Sequence, residues 1–132
     1  MTGWTFLDYI EENGKNPIGA WLADQLQVPK KAKAKIDRIL LQLAGTPLWV
    51  RPLTSNLDEF DGIVEIRIRW MNIQYRLLGF RGPDDGQFTL LMPAKEQGDE
   101  FIPRNAPQIA MTRMRIVTQD KRRAREHRFS ER

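Results

Sequence analysis

Apolar residues change their spacing along this chain, and each change marks a new element. Trp4 to Ile10 is rich in aromatic and β-branched residues, and Asn13-Gly14 follows it, which predicts a first strand and a turn. Asn16 before Pro17 is a favoured pairing of helix cap and first helical residue. Ile18, Trp21, Leu22 and Leu26 then recur at helical spacing, so a short helix is expected to run to about Gln27. Pro29 opens a second helix whose apolar stripe is Ile36, Ile39, Leu40 and Leu43, and Gly45 with Pro47 stops it. So short a break between two helices predicts an N-terminal helical hairpin.

From Val64 the period is two. Val64, Ile66, Ile68 and Trp70 alternate with Glu65, Arg67 and Arg69, a half-buried strand with one apolar and one charged face. Met71-Asn72 is a tight turn into a second strand over 73–80. The cluster Gly82-Pro83-Asp84-Asp85-Gly86 separates that strand from a third over 88–92. Connections this short give an antiparallel meander. A last helix is expected over 108–117, with Ile109, Ala110, Met114 and Val117 turned inward. Helices and an antiparallel sheet kept apart in the chain define an α+β fold, the meander packed against the helical hairpin.

The 132 residues amount to one domain, expected over 1–117. No apolar run approaches the roughly 20 residues of a membrane span. No basic segment followed by an apolar one opens the chain, so a cytoplasmic protein is expected. The chain has no cysteine and one histidine, which leaves little for a thiolate or zinc site, so no metal and no cofactor are expected. Charge is uneven. Of the net +4, the stretch from Met111 to Arg132 holds eight basic residues against three acidic ones, so the first 110 residues are nearly neutral. A basic tail over 118–132 on a near-neutral body is either an anchor for a polyanion or a solvated, disordered end.

Few residues could carry chemistry. Arg67 and Arg69, two apart on a strand, project from one face about 6.5–7 Å apart, near the spacing of successive phosphates in a nucleic acid. Arg76 can join them from the next strand if the register allows, and Lys95 follows the third strand. Guanidinium groups grip phosphate in fork geometry and stabilise a pentacoordinate phosphorane. Ordinary solvent-facing arginines, one of them neutralised by Glu65, are the plain alternative. His127 stands in the charged C-terminal stretch, where a solvated imidazole is expected. Asp58, Glu59 and Asp61 read as an acidic loop, and no nucleophile–histidine pair, P-loop or dinucleotide fingerprint is present.

The order of these segments resembles a known family. Gly62-Ile63-Val64-Glu65-Ile66-Arg67, followed after a tight turn by Tyr75-Arg76-Leu77-Leu78, resembles the paired strands of the RelE/ParE superfamily, closest to its phage-derived, HigB-like branch. The lead-in Phe6…Glu12-Asn13-Gly14-Lys15-Asn16-Pro17…Trp21-Leu22 is similar to that branch, as are Leu90-Leu91-Met92-Pro93-Ala94-Lys95-Glu96 and Ile102-Pro103…Ile109-Ala110. The resemblance spans about residues 5–115. It implies a RelE-like fold and the toxin of a type II toxin–antitoxin pair, a ribosome-dependent mRNA interferase that cuts RNA through its 2′-hydroxyl without a metal. Arg67, Arg76 and Lys95 would then be catalytic, with Arg69, Arg104 and Arg113 binding RNA. The partners implied are a cognate antitoxin, the ribosome and mRNA. Departures are Glu96 in place of a second lysine, Met92-Pro93-Ala94 in place of a small-Phe step, and no matching Tyr or His near the C-terminus. The superfamily also includes gyrase poisons without nuclease activity. The alternative is therefore a catalytically silent nucleic-acid- or protein-binding module of phage origin with the same fold.

Overall fold

The computed structural model describes residues 3–129. The chain opens on strand β1 (Thr5–Tyr9). Asn16 caps α1 (Pro17–Ala23), its side-chain oxygen accepting the Gly19 amide at 2.8 Å. This helix stops short of the expected Gln27. Asp24 turns extended and its carboxylate accepts the Leu26 amide at 3.0 Å, a local bond that competes with the helix and leaves Leu26 93% exposed. Helix α2 (Lys30–Ala44) runs as its periodicity predicts, burying Ile36, Leu40 and Leu43, and ends at Gly45.

Next come β2 (Thr54–Asn56), β3 (Val64–Trp70), β4 (Ile73–Arg81), β5 (Gln87–Gln97) and β6 (Glu100–Ile102). Helix α3 (Ala106–Gln119) and β7 (Ala124–Glu126) close the described chain. Among the described residues the seven strands form one mostly antiparallel sheet in the order β2-β3-β4-β5-β1-β7, with β6 paired to β5. The α+β class and the β3-β4-β5 meander stand as expected. Three features are additional: β5 continues through Pro93 to form a hairpin with β6, β1 pairs in parallel with β5, and β7 pairs with β1.

Register assigns the faces. Tyr75 lies beside Ile68 and Lys95, and its ring meets Trp21 of α1 edge-on at 6.1 Å, so α1 shares its face of the sheet. Arg76, the next residue, points the other way. Leu78 shares the Arg76 side and pairs with Met92, whose sulfur lies 3.5 Å from the Arg113 guanidinium of α3. Helices α1 and α3 therefore cover opposite faces. Between Leu78 and Gly79 the register slips, and β5 gains a residue. A Cβ at Gly79 would stand 2.4 Å from both the Phe88 ring and the Thr89 carbonyl oxygen, so only glycine fits where the bulge folds β4 onto β5.

Of the two alternatives for the basic stretch from Thr118, the disordered end does not hold over 118–129. Helix α3 continues to Gln119, a 3-10 turn spans Lys121–Arg123, and β7 lies antiparallel on β1. The Ile10 amide donates to the Arg123 carbonyl at 2.7 Å and the His127 amide to that of Phe6 at 2.9 Å. These bonds satisfy the outer edge of β1, which would otherwise expose unpaired backbone groups. Ser130, Glu131 and Arg132, the remainder of the expected tail, lie outside the described residues.

Candidate functional site

Two places on this fold gather polar groups that could act on a ligand. The first is the end of the α3-side face that α3 leaves open. Pairing sets the rows there: Arg67 stands directly opposite Arg76, and Arg69 opposite Gln74, which in turn lies beside Glu96. Like charges placed directly across a sheet repel, and each arginine is drawn off by a carboxylate. Arg67 Nε donates to Glu65 at 2.6 Å, and Arg76 Nη2 to Glu96. The two pairs differ in reach. Arg67 keeps 42% of its side chain exposed, and Arg69 is exposed with its Nε on the Met71 carbonyl oxygen at 3.3 Å. Arg76 is buried. Its Nη1 donates to the Tyr75 carbonyl at 3.0 Å and to Gln74 at 3.4 Å, while its Nε meets no partner among the described residues.

The expected site residues thus divide. Arg67, Arg69 and Arg76 come together. Lys95 does not, because its register partner is Tyr75: it lies on the opposite face, with its ammonium 6.0 Å from the centre of the Tyr75 ring. Burial pushes the Tyr75 phenol above its ordinary value. Arg113 reaches inward from α3. Its guanidinium lies 4.8 Å from the centre of the Tyr9 ring and donates to the Leu91 carbonyl at 2.8 Å. Desolvation pushes its pKa down, with Tyr9 and Glu11 opposing. Arg104 sits on the exposed loop after β6, paired with Glu100 at 3.1 Å.

The second place escaped the sequence reading. His127, expected in solvent, is 5% exposed, and its Nδ1 lies 2.8 Å from Asp8 Oδ1 on β1. Asn16 Nδ2 donates to the other carboxylate oxygen at 2.8 Å. This contact engages Nδ1 of the ring. That leaves Nε2, which is buried without a partner among the described residues. The only sequence signal was Asp8 itself, an acid inside an apolar strand. Asp8, Asn16 and His127 line a cavity of about 540 Å³ together with residues of α1, the start of α2 and the segment 125–129. Sheet order separates the two places: Arg67 and Arg69 on β3 lie three strand steps from Asp8 on β1, about 14 Å at roughly 4.8 Å per step, and Arg76 on β4 lies two steps from it.

No protein-family profile, curated protein or solved structure matches this chain. Among the described residues no helix is long and apolar enough to cross a membrane.

Proposed function

We propose that this chain is an RNA-directed toxin of the RelE/HigB type, working in the cytoplasm as a ribosome-dependent mRNA interferase and held in check by a cognate antitoxin. The observation that carries the proposal is the juxtaposition of Arg67 and Arg76 in register beside exposed Arg69. These lie on the two strands whose sequence resembles that family. A β-β-β meander preceded by two helices, read as the hairpin of a RelE-like fold, is consistent with it. RNA would lie along β3, with successive phosphates on Arg67 and Arg69. Its 2′-hydroxyl would attack the adjacent phosphorus, giving up its proton to a base, while the departing 5′-oxygen takes one up and a cyclic phosphate remains. Glu65, already in contact with Arg67, is the carboxylate nearest that role. Arg67 would bear the phosphorane's added charge.

A second reading is favoured by two placements: Arg76 is engaged by Glu96, Gln74 and a backbone carbonyl, and Lys95 faces away. A face so arranged can bind RNA without cutting it. Induced expression without an antitoxin, followed by growth and by mapping mRNA ends on ribosomes, separates the readings. Growth arrest with new mRNA ends, both lost on Arg67→Ala, supports the interferase. Intact mRNA, together with RNA binding that weakens on Arg69→Ala, selects the silent module. A folded protein that binds no RNA overturns both.

A further inference from the structure

We propose that the open end of the α3-side face recognises a guanine base in single-stranded RNA. The Glu96 carboxylate accepts the N1–H and the 2-amino hydrogens of the base, Gln74 donates to its O6, and buried Arg76 holds both side chains in place. The inference rests on RNA lying along β3 and is indifferent to whether that RNA is cut.

Register aligns four side chains in one row across the sheet. Arg69 of β3 stands opposite Gln74 of β4, Gln74 beside Glu96 of β5, and Glu96 opposite Phe101 of β6. Directly opposed residues share a face, so a cation, an amide, a carboxylate and an aromatic ring follow one another. None is fully buried: Arg69 is exposed, Gln74 and Phe101 are half-buried, and Glu96 keeps 28% of its side chain exposed. Two strand steps separate Arg69 from Glu96, about 10 Å at roughly 4.8 Å per step. That is the reach of one nucleotide from its phosphate to the edge of its base. Arg69 Nε is held by the Met71 carbonyl, which leaves the two terminal nitrogens to grip the phosphate.

The second observation is what Arg76 holds. Its Nη1 and Nη2 lie 3.4 and 3.5 Å from Gln74 Oε1, and Nη2 also donates to Glu96 Oε1. A guanidinium only donates, so the Gln74 amide turns its oxygen inward and its NH2 outward. Gln74 Nε2 and Glu96 Oε2 make no hydrogen bond among the described residues. A donor and a carboxylate acceptor therefore stand side by side, oriented from beneath and open to a ligand.

Chemistry selects the base. Guanine alone of the four carries a carbonyl acceptor beside two adjacent N–H donors on its pairing edge. Adenine and cytosine set a ring-nitrogen lone pair against the carboxylate, and uracil flanks its single N–H with two carbonyls. An ionised carboxylate only accepts, so those bases meet repulsion where guanine makes charge-assisted hydrogen bonds. Phe101 ends the row with aromatic surface, which suits an unstacked base.

The test is fluorescence anisotropy of the full-length protein with uridine pentamers carrying guanine, adenine, cytosine or uracil at the central position. All are 2′-fluoro, which removes the attacking hydroxyl. The guanine pentamer should bind about tenfold tighter than the others, within the range that one bidentate base contact provides. Glu96→Gln and Arg76→Lys should each reduce that preference to about twofold or less. The log–log salt slope, which counts phosphate contacts, should stay the same in both. Equal weakening of all four pentamers by Arg76→Lys overturns its positioning role. Circular dichroism checks the fold of each variant. Should either unfold, the ¹⁵N resonance of the Gln74 side-chain amide in the unaltered protein decides: guanine must shift it more than uracil does, and equal shifts overturn the proposal. Equal affinities for the four pentamers also overturn it, as does preference for another base or a guanine preference untouched by Glu96→Gln in a folded protein. Any of these, with binding that still weakens on Arg69→Ala, leaves the strand-face reading standing. No binding of any pentamer overturns both.

Discussion

Asp8 is a charged residue in the middle of an apolar strand, and its neighbours in sequence give no reason for it. The reason lies 119 residues away in His127, with Asn16 closing the other side. Because both partners are almost fully buried, removing one leaves the other desolvated and unpaired. Asp8→Ala should therefore cost about 3–5 kcal/mol, read from urea unfolding at unchanged slope. Asp8→Asn, which keeps the shape and one hydrogen bond, should cost less. Arg76→Ala should also destabilise, by about 1–3 kcal/mol, because Glu96 keeps some solvent at 28% side-chain exposure and loses only part of its compensation. Arg67→Ala should likewise cost about 1–3 kcal/mol, because it strips the nearly buried Glu65 carboxylate of its partner. Arg69→Ala should leave stability nearly unchanged, because the exposed Arg69 guanidinium meets only the Met71 carbonyl among the described residues. Such costs would separate a structural arginine from a ligand-binding one before any activity is measured. Period-two alternation made Arg67 and Arg69 legible, since it depends only on neighbours in the chain. It also placed Arg76 beside them once the turn at Met71-Asn72 fixed the register. Lys95 was misplaced because the bulge at Leu78/Gly79 and the length of β5 decide its face, and neither shows in local spacing.

At the scale of elements, β7 shows how far composition alone misleads. The stretch from Thr118 holds mostly basic and polar residues, which reads as a solvated end. Yet its backbone, not its side chains, does the pairing: three register partners on β1 join the Ile10 and His127 amide bonds. Polar side chains suit an edge strand, which needs ladder bonds and little apolar surface. A chain stopped at Val117 should consequently lose the cover over Asp8 and the β1 edge. We expect a lower urea midpoint and concentration-dependent association in light scattering; a truncated chain as stable and monomeric as the full one would assign β7 no structural role. The turn leading into β7 adds a pH dependence. Hydrogen bonds from the Arg122 side chain and amide hold Asp120 below the usual carboxylate range. A carboxylate lowered by folding stabilises the folded state above its unfolded pKa. That contribution disappears as pH falls through the lower, folded value. Amide exchange at Arg122 and Arg123, corrected for intrinsic rates, should accelerate across that window, and Asp120→Asn should abolish the transition. Helix α2 and the meander were legible because their signals are local and periodic. The early end of α1 was not, because an Asp24 side-chain bond overrides its helical spacing.

The whole molecule is one sheet with helices on both faces, and its two polar centres fall on opposite faces, β3 on one flank and β7 on the other. The α+β class could be read from the chain because helices and meander strands occur in separate runs. The parallel β1–β5 contact could not, since it joins residues about eighty apart and leaves no pattern between them. That contact brings the chain's first strand next to its third meander strand, and so offers β1's outer edge to β7. Charge at this scale also differs from the sequence expectation. Lys121 is paired with Asp84 at 2.6 Å, Arg122 with Asp120, and Arg123 donates to the Tyr9 hydroxyl at 2.9 Å and the Ile10 carbonyl. The C-terminal cations are thus partly spent within the fold, while Arg67 and Arg69 face solvent on β3. RNA affinity measured over a salt series tests this division. Each phosphate neutralised on a single strand contributes a log–log slope near −0.7, so replacing both Arg67 and Arg69 with alanine should flatten the slope by about 1.4. Arg113→Met should leave the slope unchanged, because that guanidinium is committed to Leu91 and the Tyr9 ring. If the double variant keeps the full slope while remaining folded, RNA does not lie along β3, and the positive charge responsible for any binding must be sought elsewhere on the surface.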